Sequence, residues 1–457
     1  MSNIDLRELK RLVEDGAIDT VLVVFPDMYG RLVGKRIVGR FFVEQSEIHA
    51  CDYLLACDID MDPVPGYQFT SWAKGYGDFR PVPDFKTLRV ASWLDKTAMV
   101  LCDVYEEERD ELVPFAPRGI LRKQLARAAE QGYVAMGASE LELYVFKDSY
   151  EEIAKKGFIN IEPIGRLIED YHIFQGTKEE FLIGDIRRHL ERSGIPVESS
   201  KGEWGPGQQE IGLRYAELLE MADRHTIYKH AAKEIAWQHG KSVTFMAKWD
   251  ERYAGSSCHI HASLWNPNGE PLFNPSAGGD EPLGPIRCSP LFRWFLGGWM
   301  KHIRELFPFF APYPSSYKRY VAGSFAPTGI AWSYDNRTAG FRIVGHGSSL
   351  RIECRMPGAD ANVYLAFAAT LAAGLDGIAN RIEPPDAFEG DVYGAMNLPQ
   401  VPHSLRESIE ALEQSEFARA AFGDDVIEHY LHFFRTEQRK FDAVVTDWER
   451  KRYFEQA

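Results

Sequence analysis

Cys258-His259-Ile260-His261-Ala262-Ser263-Leu264 puts a metal-binding or hydroxyl side chain at every second position, with an apolar residue between each. In a β-strand, residues two apart share a face, so His259, His261 and Ser263 point one way and Ile260, Ala262 and Leu264 the other. Three more stretches repeat the device. Glu140-Leu141-Glu142 alternates acid and apolar residues, and Arg351-Ile352-Glu353-Cys354-Arg355 alternates charge with apolar side chains. Glu203 and Glu210 stand either side of the turn Trp204-Gly205-Pro206-Gly207. Side by side in one sheet, such strands make a wall of carboxylates, imidazoles and guanidiniums, a surface suited to divalent cations, phosphate and carboxylate.

A single Glu-x-Glu pair is ordinarily a solvated strand face. The rest of this strand is apolar, however, with Val134, Met136, Leu141, Leu143, Val145 and Phe146, and two like charges there repel unless a cation lies between them. Imidazole beside carboxylates suits Mn²⁺ better than Mg²⁺. Neither a Cys-rich zinc spacing nor a His-Glu-x-x-His helix accompanies the histidines. Arg351 and Arg355 flank Glu353 as clamps for phosphate or carboxylate, and Lys318, Arg319, Arg337 and Arg342 lie just upstream. The chain has no Gly-x-x-x-x-Gly-Lys-Ser/Thr loop, so a nucleotide would be held by metals and arginines and not by a glycine cradle.

Outward from these strands, the 457 residues suffice for two or three domains, with an ordinary 45% hydrophobic and 26% charged content. The net charge of −15 argues against non-specific nucleic-acid binding. The six cysteines form no Cys-x-x-Cys pair and read as buried reduced thiols of a reducing compartment. The charged N-terminus, Met1 to Arg7, lacks the apolar run of a secretory signal, and no stretch reads as a membrane span. A cytoplasmic protein is expected.

Hydrophobic periodicity predicts a helix over Leu6–Glu14, a hairpin of strands 18–25 and 31–38, and a long loop over 62–84. A short strand follows at 99–104, and Pro114 marks a domain boundary. A helix over 118–131 stops at Gly132, and strands are expected at 133–146, 197–203, 208–214, 243–247 and 258–264. Residues 223–239 read as helix. Ser404-Leu405-Arg406-Glu407 reads as a capping box, and one long helix is expected from 424 to 450. The mixture, without strict βαβ alternation, is α+β.

The run Gly255-Ser-Ser-Cys-His-Ile-His261, with Gly207-Gln-Gln-Glu210, Ser316-Tyr-Lys-Arg319, Asn336-Arg337 and Arg351-Ile-Glu-Cys-Arg355, resembles the glutamine synthetase superfamily in order and spacing over nearly the whole chain. The resemblance implies a β-grasp domain over 1–113 and a funnel-shaped catalytic domain of antiparallel sheet flanked by helices over 114–457. It also implies a dodecamer of two stacked hexameric rings, with each active site between neighbouring subunits. It places Glu142, Glu203 and Glu210 on one Mg²⁺ or Mn²⁺ ion and Glu140, His259 and Glu353 on a second. Arg319, Arg355 and Gly255 would hold glutamate, and Arg337 and Arg342 the transferred phosphoryl group. Tyr215, His261, Ser263 and Arg351 would contact ATP.

Two departures from the family pattern matter. The flap, usually Tyr-Glu-Ala-Pro, reads Ser324-Phe325-Ala326-Pro327 here, and the usual Asp-Gly-Ser-Ser loop is replaced by a stretch resembling Tyr67-Gln-Phe-Thr-Ser-Trp72. Ammonium needs carboxylates, so losing both acids favours an amine with a carbon substituent. The pattern is similar to the γ-glutamyl-polyamine, γ-glutamyl-ethanolamide and related amine ligases. The expected activity is an ATP-dependent glutamate–amine ligase, with Phe325 beside Trp72, Tyr76 or Trp332 shaping an apolar amine pocket. No acid can be assigned to a distal ammonium, which favours a monoamine. The alternatives are an ammonia-using glutamine synthetase and a non-catalytic scaffold that keeps the fold. The scaffold would be expected to lose metal ligands, yet all six candidates are present.

Overall fold

The computed structural model describes residues 3–44, 47–275, 281–321, 323–395 and 397–457. The expectation for the N-terminal segment therefore lies in part, at Met1 and Ser2, outside the described residues. The helix falls at Leu6–Glu14, as its periodicity predicts, with the Asp5 side chain capping the Glu8 amide. The hairpin follows as Thr20–Pro26 and Leu32–Val38, and Thr20–Pro26 also pairs in parallel with Thr97–Glu106 at the centre of a six-stranded sheet. A mixed sheet with a parallel central pair and a helix against it is compatible with the expected β-grasp.

The long loop over 62–84 is only partly a loop. Its end, Asp78–Pro83, is a strand of this sheet, antiparallel to Thr97–Glu106. Pro81 and Pro83, which disguise it as a loop, are tolerated because only one side of the strand has a long partner.

The second sheet has nine strands, and all four polar-alternating stretches lie in it. Cys258–Trp265 sits between Arg351–Cys354 and Val134–Phe146, and beyond the last come Gln208–Leu213 and Val197–Gly202. The ladder is antiparallel except at the far edge, where Trp332–Tyr334 runs parallel to Phe341–Val344. Register does the positioning. His259 lies opposite Glu140, His261 opposite Glu353, Glu142 opposite Glu210, and Arg342 opposite Glu353. A one-residue slip of any strand would turn its charges into the core.

Behind the sheet, helices Leu218–Gln238, Pro290–His302 and Val363–Asn380 build the core. Val363–Asn380 is the one helix among the described residues long and apolar enough to cross a membrane, and 83% of that stretch is buried inside the protein. It packs closely on Pro290–His302. A Cβ on Gly298 would come within 2.5 Å of Gly377 Cα, so both helices need glycine at the crossing.

Other expectations shift at their ends. The helix expected from 223 begins at Leu218, and the strand expected at 243–247 is Ser242–Thr244. The long C-terminal helix is two, Asp424–Asp442 and Asp447–Tyr453. The β-branched run Val444-Val445-Thr446 interrupts it, and Thr446 starts the second helix with a reciprocal capping box to Glu449. Ser404 caps the Glu407 amide, but the Glu407 carboxylate accepts from the His403 amide instead of that of Ser404, so only half of the expected box forms.

The two sheets are joined by a buried ion cluster. Arg118, 2% exposed, donates to Asp223 at 3.0 and 2.9 Å, to Asp103 at 2.5 Å and to Asp84 at 2.8 Å. Asp103 lies on the central strand of the N-terminal sheet and Asp84 just after the strand Asp78–Pro83, whereas Asp223 lies on the helix under the nine-stranded sheet.

Candidate active site

The metal-ligand candidates come together on one face of the nine-stranded sheet. One ligand atom from each of Glu140, His259 and Glu353 lies within 4.8 Å of the others, and the same is true of Glu142, Glu210 and His259. The first group is the set expected for one cation. The second differs from expectation, because Glu203 is drawn to Lys201 in an ion pair and His259 completes the group.

Local sequence explains why Glu203 and Glu210 converge. Gly207 has φ +72°, and a Cβ there would meet the Val145 carbonyl at 3.0 Å, while a Cβ on Gly205 would run into the Tyr144 hydroxyl. The turn is then fastened from outside. The Glu169 carboxylate, 1% exposed, accepts from the Gly207 amide at 2.8 Å and from Gln209 at 2.9 Å. Gln209 also donates to Glu179, whose carboxyl is pushed up to about 9 by burial and by Glu169.

The electrostatics fit a cation. Burial and the neighbouring Glu140, Glu203 and Glu142 push Glu210 up to about 9. Burial and Glu142 push Glu203 up to about 7. Against the effect of burial, His261 and His259 hold Glu140 well below the usual carboxylate range. Burial and the Arg355 charge hold His259 below the usual imidazole value. Its Nε2 is buried without a hydrogen-bond partner among the described residues. A neutral imidazole with an open nitrogen beside mutually repelling carboxylates is a donor set for a divalent ion.

The surrounding groups are fixed. Glu142 accepts from the Ser257 amide at 2.8 Å and from Gln208 at 3.0 Å. Glu353 is fully buried, 2.9 Å from Arg342 Nη1 and ion-paired with Arg355. Arg342 also reaches Asp335, at 2.5 Å. Arg319 donates to the Met356 carbonyl at 2.8 Å and to that of Arg355 at 3.2 Å. Gly255 leaves room for it, since a Cβ there would lie 2.6 Å from Arg319 Cγ.

Glu140, Glu142, Glu203, Glu210, His259, Gly255, Arg319, Phe325, Arg337, Arg342 and Arg355 line one pocket of about 340 Å³. Tyr215, His261, Ser263 and Arg351 line a second, of about 480 Å³. The two pockets share Glu140 and Glu210 as a common wall. In the second, the rings of Tyr215 and Trp265 lie 6.4 Å apart at 32°, and Arg351 Nε donates to His261 Nδ1 at 3.3 Å. Every residue expected to bind metal, glutamate, the phosphoryl group or nucleotide lines one of these two adjoining cavities except Glu353, which is paired with Arg342 and Arg355 of the first.

The expected aromatic neighbours of Phe325 are not the observed ones. Trp332 is fully buried and donates to the Pro385 carbonyl at 2.6 Å. Trp72 and Tyr76 pack on each other, 4.9 Å apart, and line neither pocket. Phe325, at φ +60° in the left-handed region, instead packs 5.1 Å from Trp204. Trp204, Lys201, Asp170 and Tyr171 all line the first pocket. None of the four is among the residues expected from the sequence to bind metal, substrate or nucleotide. Trp204 and Lys201 flank Glu203 in the sequence, a signal that could have found them, whereas nothing local marks Asp170 and Tyr171.

A profile of the glutamine synthetase catalytic domain matches residues 114–453. The chain is 46% identical to the γ-glutamylethanolamide synthetase GlnA4 of Streptomyces coelicolor, over 98% of this chain and 96% of that protein. It is 33% identical to the glutamate–isopropylamine ligase of a Pseudomonas species, over 98% and 97%. It is also 33% identical to the glutamine synthetase of Thermotoga maritima, over 98% and 99%. Among solved structures, a GmaS–ADP complex superposes with a TM-score of 0.84 at 29% identity, covering 98% of this chain and 99% of that one.

Proposed function

Because the chain belongs to the glutamine synthetase family, we propose that it is an ATP-dependent ligase joining the γ-carboxylate of L-glutamate to a primary amine, with release of ADP and phosphate. The observation that carries this reading is Phe325, an aromatic ring lining the pocket beside Trp204 at the flap position where the family ordinarily has glutamate. A ring there suits a carbon substituent, not ammonium.

The chemistry runs through a γ-glutamyl phosphate. A carboxylate is a poor acyl donor, because oxide would have to leave. Transfer of the γ-phosphoryl group of ATP makes that oxygen part of a phosphate. The amine nitrogen then attacks the acyl carbon, the C–O bond breaks with its electron pair going to phosphate, and the nitrogen loses a proton. We assign Arg319, Arg355 and Gly255 to glutamate, and Arg337 and Arg342 to the phosphoryl group in flight. Tyr215, His261, Ser263 and Arg351 go to the nucleotide in the second pocket. Glu142, Glu203 and Glu210 would hold one ion, and Glu140, His259 and Glu353 another. Such ions, Mg²⁺ or Mn²⁺, supply charge neutralisation between phosphate oxygens and carboxylates when bound.

The reading extends to organisation. Domains over 1–113 and 114–457, a dodecamer of two hexameric rings and a cytoplasmic location accompany it. Exposed Phe158, Ile159, Ile173 and Phe174 on the catalytic domain, and Phe454 at the C-terminus, offer apolar surface for subunit contacts. Five of the six cysteines are buried and none is paired, in keeping with a reducing compartment.

The test is ADP release with glutamate, ATP and Mn²⁺ against ammonia and a panel of primary amines, beginning with ethanolamine. Amine-dependent turnover well above that with ammonia is expected. Efficient use of ammonia with no gain from any amine would overturn the proposal in favour of a glutamine synthetase.

A further inference from the structure

The first pocket carries side chains that the reaction outlined above leaves without a role. Lys201 makes ion pairs with Glu203 and, at 3.2 Å, with Asp170. Its Nζ also lies 4.4 Å from the centre of the Tyr171 ring. Trp204 and Phe325 are half-exposed, with their rings tilted at 52° to one another. Among the described residues of one subunit, five carboxylates line this pocket, namely Glu140, Glu142, Asp170, Glu203 and Glu210. Four of them are assigned to cations, which leaves Asp170 alone.

An amine with a second ammonium group needs a free carboxylate for it. Among the described residues of one subunit, Asp170 is the acid left to serve, and Lys201 is already paired with it. The fixed charge of Lys201 also repels a cation arriving at the same place. An uncharged substituent meets neither obstacle, and the Trp204–Phe325 pair gives it an apolar wall. Resting on the ligase reading above, we infer that Lys201 is a specificity-determining residue that restricts the site to primary amines with a small uncharged substituent, alkyl or hydroxyalkyl, and turns diamines away.

The test compares kcat/KM for ethanolamine and isopropylamine with that for putrescine and cadaverine, at saturating glutamate, ATP and Mn²⁺. The wild type is expected to favour the neutral amines by about 100-fold. Lys201→Met and Lys201→Gln should each narrow that ratio by about tenfold or more, whereas Lys201→Arg keeps it. Asp170→Asn, which leaves the lysine charge opposed by Glu203 alone, should widen it. A ratio compares two substrates on one enzyme, so a variant that merely loosens the fold lowers both rates and leaves it unmoved. Diamine turnover at parity in the wild type overturns the inference, as does a ratio indifferent to the Lys201 and Asp170 variants. In both cases amine ligation itself would stand. Turnover of ammonia with no gain from any amine would remove the ligase reading, and this inference with it.

Discussion

The clearest consequence of the clustered carboxyls concerns protons. At pH 7 and without a cation, Glu210, pushed up to about 9, is almost wholly protonated, and Glu203, pushed up to about 7, is about half so. Glu140 and His259 are shifted the other way, one pulled well below and the other held below its ordinary value, so they do not add to this reservoir. A divalent ion bound by Glu203 and Glu210 must displace what they hold, so binding at pH 7 should release roughly 1.5 protons. Between pH 6 and pH 8 the affinity should rise by about tenfold or more, because the two carboxyls lose their protons as one interacting pair. Calorimetric titration of the chelated protein with Mn²⁺, in buffers of different ionisation enthalpy, measures both quantities. Glu210→Gln should cut the release at pH 7 to about half a proton. The sign for stability is opposite. Carboxyls raised above their usual 4.5 lend the cation-free fold stability that is fully present below that value and is lost as pH climbs through 7 and 9. The melting temperature of the chelated protein should therefore fall from pH 6 to pH 9, and Mn²⁺ should cancel the fall. Affinity that does not change with pH, or protons taken up on binding, would refute the reasoning.

Phe325→Glu should return a carboxylate to the flap and raise the ammonia-to-ethanolamine ratio of kcat/KM by about tenfold or more; an unmoved ratio would separate the flap from amine choice. Glu169→Ala strips the acceptor from the Gly207 amide and Gln209, and should cost about 1–3 kcal/mol in urea unfolding, with weaker Mn²⁺ binding because Glu203 and Glu210 lose their fixed turn. Arg118→Met leaves the buried Asp223 without a cation, while Arg122 still pairs with Asp84 and Asp103, and should destabilise the protein by about 3 kcal/mol, read by the same unfolding assay. Gly205→Ala pushes a methyl group into Tyr144 and should lower both soluble yield and metal affinity, whereas an unperturbed variant would mean that the turn is looser than described.

Strand content was legible where alternation was strong. The Glu140, His259 and Glu353 strands declare their polar face within a few residues, and one register aligns them, so the wall of candidate metal ligands follows from local pattern plus pairing. The first helix and the N-terminal hairpin were legible for the same reason. The break after Asp442 was hidden because apolar residues continue through it, although Thr446 and Glu449 carried a readable start signal. Trp332 was misjudged because closeness to the flap in sequence says nothing about which way an edge strand turns its ring. Asp170 and Tyr171 escaped because their segment has no period. Its place beside the hairpin comes from hydrogen bonds made far away in sequence, such as the Glu169 bond to the Gly207 amide.

Glu140 and Glu210 form the partition between the two cavities. On the proposed assignment, nucleotide and amine would sit on opposite sides of that partition. With nucleotide in the second cavity, as proposed, spent nucleotide would leave on its own side while the amide product departs on the other, and neither would wait for the other to clear. Steady-state patterns without a compulsory order of product release, and with each product inhibiting mainly the substrate of its own side, are what such a divided chamber would impose.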